Sequence, residues 1–340
     1  MKYNPIDKII LFGGSLTIIG LAKWIKAESI ELRIYTSRRH AKEKLTKDKN
    51  LEELIQEIGV KYIVTEDINA EGTIHSEITV NTIGIGIGEA WSFDSKILNA
   101  FKGKLLDFMG IPLPRYRGGA HYTWMILGSE VNNGMRLQVI NEDMIQGSFD
   151  SGEIVDSIDY KMQSSDEKPR DFFAREVSES IEFIKQFLEN AVNGKDYKLR
   201  NIDESKSIFF PRLFTDIHAW IDWRYWNCSQ IVKFIRAFDE PYMGARSTIG
   251  EINVRIKGVK ELQDSNYYHP FQAGLIVRIH NNSVFVATSG GLISIDSLQD
   301  NEGISVIDKI QVGQRFFTPE KKLQEALTFK AVYDASGLKK

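Results

Sequence analysis

Residues 105–124, LLDFMGIPLPRYRGGAHYTW, decide how this chain is read. Residues 105–109 are an apolar run of strand length, and the residues from His121 onward have the composition of a helix. Proline, glycine and arginine fill the gap between them. In an α/β protein such loops leave the carboxyl ends of the strands, and that is where ligands bind. The stretch therefore predicts both a fold and a place to look for chemistry.

Reading toward the N-terminus, four more runs have strand character: KIILFG (8–13), ELRIYT (31–36), KYIVT (61–65) and VNTIGIGI (80–87). Residues 16–26 have helical spacing, 40–58 are polar and helix-prone, and a further helix begins at 96. Strands alternating with helices over short connections predict a mostly parallel sheet with helices on both faces. Reading toward the C-terminus, a helix over 120–128 is followed by strands over 134–140 and 153–162 and a long amphipathic helix over 166–193. The polar stretch 196–207 reads as a linker. Beyond it the character changes. One helix over 227–238 precedes strand-like runs at 252–258, 274–279, 283–287 and 291–296, separated by HNN and SGG turns. This predicts a smaller, β-rich, barrel-like domain. The expected domains are 1–200 and 205–335.

Composition bounds the function. The chain has 340 residues, 42% hydrophobic and 26% charged, with a net charge of −3. That is enough for two cores and argues against a general nucleic-acid binder. A single cysteine, Cys228, precludes an internal disulfide and points to a reducing compartment. No apolar run approaches the roughly 20 residues of a membrane span. The expectation is a cytoplasmic protein with no membrane or nucleic-acid partner.

Several familiar signatures are missing. FGGSLTIIG (12–20) is not a GxGxxG turn, and the second strand runs into TSRRH rather than an acidic residue. The simple reading is a tight turn, with Arg38 and Arg39 in solvent; the alternative is that these two arginines hold a 2′-phosphate. The six histidines form no metal-ligand spacing, so no metal is expected. No GxSxG elbow is present. The tryptophans of HAWIDWRYW (218–226) read as packing between domains, with a stacking surface for a base or sugar as the alternative.

The loop in the opening stretch remains. Pro114, Gly118 and Gly119 permit close backbone approach to a ligand, and Arg115 and Arg117 are suited to an anion. A second loop, NEDMIQGSFDSG (141–152), brings Glu142, Asp143 and Asp150. If both loops leave the same sheet edge, they make a pocket with one basic and one acidic wall.

LPRYRGGAHYTW followed by FDSGEIV resembles the formyltransferases that use 10-formyltetrahydrofolate. In that family a strand ends in Asn-x-His, runs through a Leu-Pro-x-x-Arg-Gly loop, and is completed by Asp-Thr-Gly-Asp. Residues 210–245 are similar to the start of the family's second domain: Ile221-Asp222-Trp223, Arg236-Ala237, Pro241 and Gly244-Ala245 match its pattern. The version here is closer to members that formylate nucleotide-linked amino sugars than to those acting on initiator tRNA. The resemblance covers nearly the whole chain. It implies a Rossmann-like formyltransferase domain with a β-rich domain after it, a nucleotide amino sugar as substrate, 10-formyltetrahydrofolate as donor, a homodimer, and a place in polysaccharide biosynthesis.

The resemblance also assigns residues. Counting back from Pro114, Asp107 occupies the Asn position and Met109 the His position, while Asp150 matches the family's Asp. It implies a donor site near Gly88, Leu113, Arg115, Arg117, Gly118 and Asp143. Met109 can neither donate a hydrogen bond nor carry a proton, and an ionised Asp107 repels an oxyanion. Two repairs are open. His121, at the start of the next helix, reaches the pocket from another direction. Alternatively, Asp107 is protonated by burial beside Asp150 and donates as a neutral acid. The catalytic candidates are thus Asp150, Asp107 and His121. The competing expectation is a catalytically silent binding or regulatory protein on the same scaffold. A nucleotide-dependent oxidoreductase stands well behind both.

Overall fold

The computed structural model describes residues 1–148, 150–263, 268–334 and 337–339. Two residues used above, Phe149 in the second loop and Ala335 at the expected end of the second domain, lie outside them. The chain forms two compact units. The first comprises residues 1–117, 132–161 and 174–208; the second comprises 118–131, 162–173 and 209–340.

The first unit is built on five parallel strands: β1 (Lys8–Gly13), β2 (Glu31–Thr36), β3 (Lys61–Val64), β4 (Thr82–Ile87) and β5 (Leu105–Met109). Two more, β6 (Asn132–Val139) and β7 (Ile154–Lys161), complete a seven-stranded sheet in the order β3-β2-β1-β4-β5-β6-β7. Ile9, Ile10, Leu11 and Phe12 of β1 are fully buried, as a central parallel strand covered on both faces must be. Helix α1 (Leu16–Ala27) follows β1, and α3 (Leu51–Ile58) follows the single turn α2 (Arg38–Ala41). The predicted helix over 40–58 is thus broken. α3 starts only at Asn50, where Asn50 and Glu53 cap each other's backbone N–H at 2.9 and 2.8 Å. It ends at Gly59, whose φ of +70° suits glycine. α4 (Ser95–Phe101) packs Ile97, Leu98 and Phe101 on one face of the sheet. On the other face lies α7 (Pro169–Val192), through Phe183, Ile184, Phe187 and Leu188.

The sheet is mostly parallel, as expected; β6 alone runs antiparallel to its neighbours, β5 and β7. The helix between β5 and β6, α5 (His121–Gly128), belongs to the second unit, so the chain does not make the helical crossover that parallel pairing needs. The stretch 196–207 is more than the expected linker. Arg200 and Ile154 exchange backbone hydrogen bonds at 2.8 and 3.0 Å, and Tyr197 N–H donates to Met1 O at 2.9 Å.

The second unit contains an antiparallel half-barrel. Its strands are β8 (Ala245–Ile249), β9 (Ile252–Leu262), β10 (Ile276–His280), β11 (Ser283–Thr288), β12 (Gly291–Gln299) and the short β13 (Phe316–Phe317), in the order β10-β11-β12-β9-β8-β13. Buried Val254, Ile256, Val284, Val286, Ile293 and Ile295 alternate along them. α9 (Cys228–Ala237), preceded by the single turn α8 (Thr215–His218), packs on β9. Two of the tryptophans serve this unit's own core. Trp220 and Trp223 are buried; Trp223 stacks on Phe316 with ring centres 5.1 Å apart, and its N–H donates to Ser247 Oγ at 2.8 Å.

Candidate functional site

Strand β5 places Asp107 and Met109 on one face, because side chains two apart along a strand point the same way. Phe108 points to the opposite face, into the core under α7. Asp107 is only 8% exposed, an unusual setting for a carboxylate. Its neighbours in register are Gly86 on β4 and Gln138 on β6. Gln138 is fully buried; its amide Nε2 donates to Asp107 Oδ2 at 2.8 Å, and its Oε1 accepts the Gly152 N–H at 3.2 Å. One amide thus ties β5 to the segment that follows Asp150.

On the β4 side sits a group that the sequence reading missed. Gly88 has a φ of +63°, and the chain turns there so that Glu89 folds back onto its own strand. The Glu89 carboxylate lies over Gly86; a β-carbon at residue 86 would come within 2.6 Å of its Oε2. The Glu89 residue as a whole is half-buried, but its acidic end is the part tucked against the sheet. With Asp107 directly across from Gly86, the two acids share a small space.

Electrostatics follow from that geometry. Burial, together with the Asp150 charge and against the Gln138 hydrogen bond, raises Asp107 to about 7. Burial first, and the Asp107 charge second, raise Glu89 to about 8. Two carboxylates this close cannot both ionise cheaply, so the pair retains a proton at neutral pH. Burial also raises Asp150, against the lowering effect of the Arg117 guanidinium. Asp150 has a φ of +59°, a conformation that aspartate tolerates better than most residues.

The two loops do not leave the same sheet edge, as the sequence suggested they would. Because β6 is antiparallel, the 141–152 segment leaves at the amino end of β5, where Ile140 N–H donates to Leu105 O at 3.0 Å. It is not a loop of the carboxyl edge. The segment begins with a single turn, α6 (Glu142–Ile145), and only its far end, at Asp150, returns to Arg117 and the field of Asp107. Arg117 grips Glu204 with two nitrogens, at 2.5 and 2.8 Å, and donates to the Asp150 carbonyl at 2.8 Å. Its guanidinium is engaged within the protein and clamps the loop. Arg117→Ala is expected to lower unfolding free energy by about 1–3 kcal/mol, the usual value of charged hydrogen bonds discounted for the exposed Glu204. Urea denaturation of both proteins measures it, and unchanged stability would remove the clamp.

The other expected residues lie as follows. Leu113 is buried and Arg115 half-buried, with its guanidinium 6.0 Å from the Tyr116 ring centre. Gly88, Gly118 and Asp143 are exposed. Met109 is half-buried and pairs with Arg136 across β5 and β6. His121 belongs to the second unit, where it opens α5 with its ring 4.9 Å from Tyr122. The turn after β1 is shaped by packing: Gly13, with φ +117°, runs against the Ile87 carbonyl, and His40 packs on Gly14. Among the described residues no group of three or more His, Cys, Asp or Glu could hold a metal ion, and no helix is long and apolar enough to cross a membrane.

A buried acid pair beside an amide, on strands that run into a Pro/Gly-rich loop, narrows the chemistry but does not name it. Comparison with known proteins gives the chain's relatives. Residues 215–307 match the family model described as "Formyl transferase, C-terminal domain". The methionyl-tRNA formyltransferase of Pseudothermotoga lettingae is 27% identical over 226 residues, 64% of this chain and 67% of that protein. The chain is a formyltransferase homologue. Solved structures agree on the fold of this homologue. An N-formyltransferase from Helicobacter canadensis, in complex with folinic acid and dTDP-3-aminofucose, superposes with a TM-score of 0.62 at 17% identity, over 85% of this chain and 98% of that one. WlaRD, a sugar 3-N-formyltransferase solved with dTDP and 5-N-formyl-THF, gives 0.62 at 16% identity, over 87% and 98%.

Proposed function

We propose that this homologue binds a nucleotide-linked amino sugar and a folate at the β4–β5 edge of its first unit, and that an acid pair, Glu89 and Asp107, does there what an imidazole and an amide do in the family pattern. The observation that carries this reading is the placement of the Asp107 carboxyl, buried on β5, directly across from Gly86, over which the Glu89 carboxyl folds. The ligands follow those bound by the structural neighbours.

Bound 10-formyltetrahydrofolate would supply the formyl group. The chain's own residues suit the two demands of transfer to an amine. Charge develops on the formyl oxygen as nitrogen attacks, and a neutral carboxyl O–H can donate to it. The attacking nitrogen must lose a proton, which the ionised partner of the pair can accept, and the folate nitrogen must gain one as its bond to the formyl carbon breaks, which the same acid can then return. Gln138 donates to Asp107 Oδ2, so that oxygen is an acceptor and the acid proton belongs on the other oxygen or on Glu89. Met109, in the position the family pattern gives to histidine, contributes neither donor nor base. The site has a proton to offer but one group fewer to offer it with.

The test is an assay of 10-formyltetrahydrofolate with a panel of dTDP- and UDP-linked amino sugars, read by chromatography. The expected result is turnover below the ordinary enzyme range of about 1–10³ s⁻¹, declining above pH 8 as the pair loses its proton. Binding of both ligands without turnover supports the second reading, a silent binding protein, which Met109 favours. Absence of binding by calorimetry removes both.

A further inference from the structure

We propose that the second unit carries a small-molecule site of its own, shaped for a nucleoside monophosphate: a planar base with an anionic tail. The site is a cavity of about 390 Å³ beside β13, large enough for such a ligand. Its floor is apolar and rigid, made of Trp223 stacked on Phe316 and of Leu323 from α10 (Glu320–Thr328). Its rim is where the protein departs from ordinary surface design. Phe271 is 80% exposed and Phe317 is 42% exposed.

A lone exposed phenylalanine is unremarkable. Phe271 differs because its backbone is held in place. It lies in a short 3-10 turn, Pro270–Gln272, whose preceding residue, His269, accepts the Phe271 N–H on Nδ1 at 3.1 Å. Gln272 Oε1 accepts the His269 N–H in return, at 2.8 Å. Arg315 then locks the turn from the side. Its Nη1 donates to the carbonyls of Phe271 and Ala273 at 2.6 and 2.8 Å, with the guanidinium 5.4 Å from the Phe271 ring centre. A ring presented from a backbone held in this way, with Arg315 beside it, is a stacking face whose position is set in advance, which lowers the entropy cost of binding a flat ligand.

Charge supplies the second half. Arg315 makes no ion pair among the described residues, so its charge at the cavity is uncompensated. Arg224, also lining the cavity, pairs with Glu320, but both side chains are more than half exposed and that pair is screened. The one acid lining the cavity, Asp222, accepts the backbone N–H groups of Arg224 and Tyr225 at 3.1 and 3.3 Å. A ring on Phe271 with a phosphate toward Arg315 matches stacking face, cavity size and charge together. Neutral sugars lack the charge, and inorganic phosphate lacks the ring.

Calorimetry on the full chain tests this with dTMP, UMP and AMP, and with thymidine and inorganic phosphate as controls. The expected result is saturable binding of at least one monophosphate, at least about tenfold weaker for thymidine and for phosphate alone. Phe271→Ala, a surface change, should weaken it about tenfold or more, the effect of losing one base–aromatic stack. Arg315→Lys, which keeps a charge but not the planar fork, should weaken it less than Arg315→Gln. Asp107→Asn, in the first unit, should leave the component of binding that Phe271→Ala removes unchanged. Three results overturn the proposal: no saturation at millimolar nucleotide, binding lost in Asp107→Asn but kept in Phe271→Ala, or a Phe271→Ala variant whose only change is from dimer to monomer in sedimentation. The last would make the rim a contact with a second copy.

Discussion

Asp107→Asn will be more stable than the parent at pH 9 and nearly indistinguishable from it at pH 4. In the unfolded chain an aspartate ionises near about 3.9. In the folded protein Asp107 holds its proton to about 7, because burial and the Asp150 charge oppose ionisation more than the Gln138 hydrogen bond favours it. Between those two values the folded state binds a proton that the unfolded state has released. Stability contributed by this group is therefore fully present below about pH 4, is lost as pH rises toward 7, and is gone above it. Glu89, raised to about 8, extends the loss in the same direction. Asparagine cannot ionise, yet it still offers an oxygen to the Gln138 amide. It removes the penalty without removing the contact. Each tenfold change in proton affinity is worth about 1.4 kcal/mol, so the gain at alkaline pH is on the order of a few kcal/mol. Chemical denaturation of both proteins at pH 4 and pH 9 measures it. Equal stabilities at pH 9 would mean that the acid pair holds no proton, and the proposed chemistry would lose its donor.

What can be read in advance divides by distance along the chain. β1 and β4 declare themselves by uninterrupted apolar runs, and the loop after β5 by its Pro and Gly content. The direction of β6 has no such local mark. MRLQV is strand-like whichever way it runs, and only the departure of α5 into the second unit settles it. Gln138 is visible as the one uncharged polar residue in that run, an oddity that points to a buried partner. Glu89 has a fainter signal. TIGIGIGE places glycines at 84 and 86, alternate positions of a buried strand, and at 88 just beyond it, which implies that something approaches that face closely. Leu105 and Phe101 crowd residue 84, and Glu89 itself crowds residue 86. Arg117 reads from sequence as a residue that meets anionic oxygens, and it does, but its partners are Glu204 and Asp150 of the same chain. A contact 87 residues away leaves no trace in local composition.

The double substitution Asp107→Asn with Met109→His is expected to raise formyl transfer at least about a hundredfold over the parent. The argument rests on which way each new group faces. Gln138 Nε2 donates to Oδ2 of residue 107, so an asparagine there must turn its oxygen toward Gln138. Its NH₂ then points the other way, as a neutral donor that no rise in pH can remove. Residue 109 projects from the same face two positions on, so histidine there adds a second donor beside the first. It also restores a group able to carry the substrate amine's proton, a role the asparagine gives up. One well-placed oxyanion donor is worth about 10²–10³ in rate, and the pair is not simply additive. Each single change should fall short. Asparagine alone has a donor but no base beyond Glu89; histidine alone sits beside an acid that charges above about pH 7. The pH profile separates this from a general improvement in folding. The parent's activity should fall above about pH 8, and the double variant's should hold. If the double variant binds a folate analogue and an amino-sugar nucleotide by calorimetry yet gains nothing, residue 109 does not face the reacting carbon and the acid pair serves binding alone. If it binds neither, the β4–β5 edge has been rebuilt for a different ligand and the transfer reading fails with it.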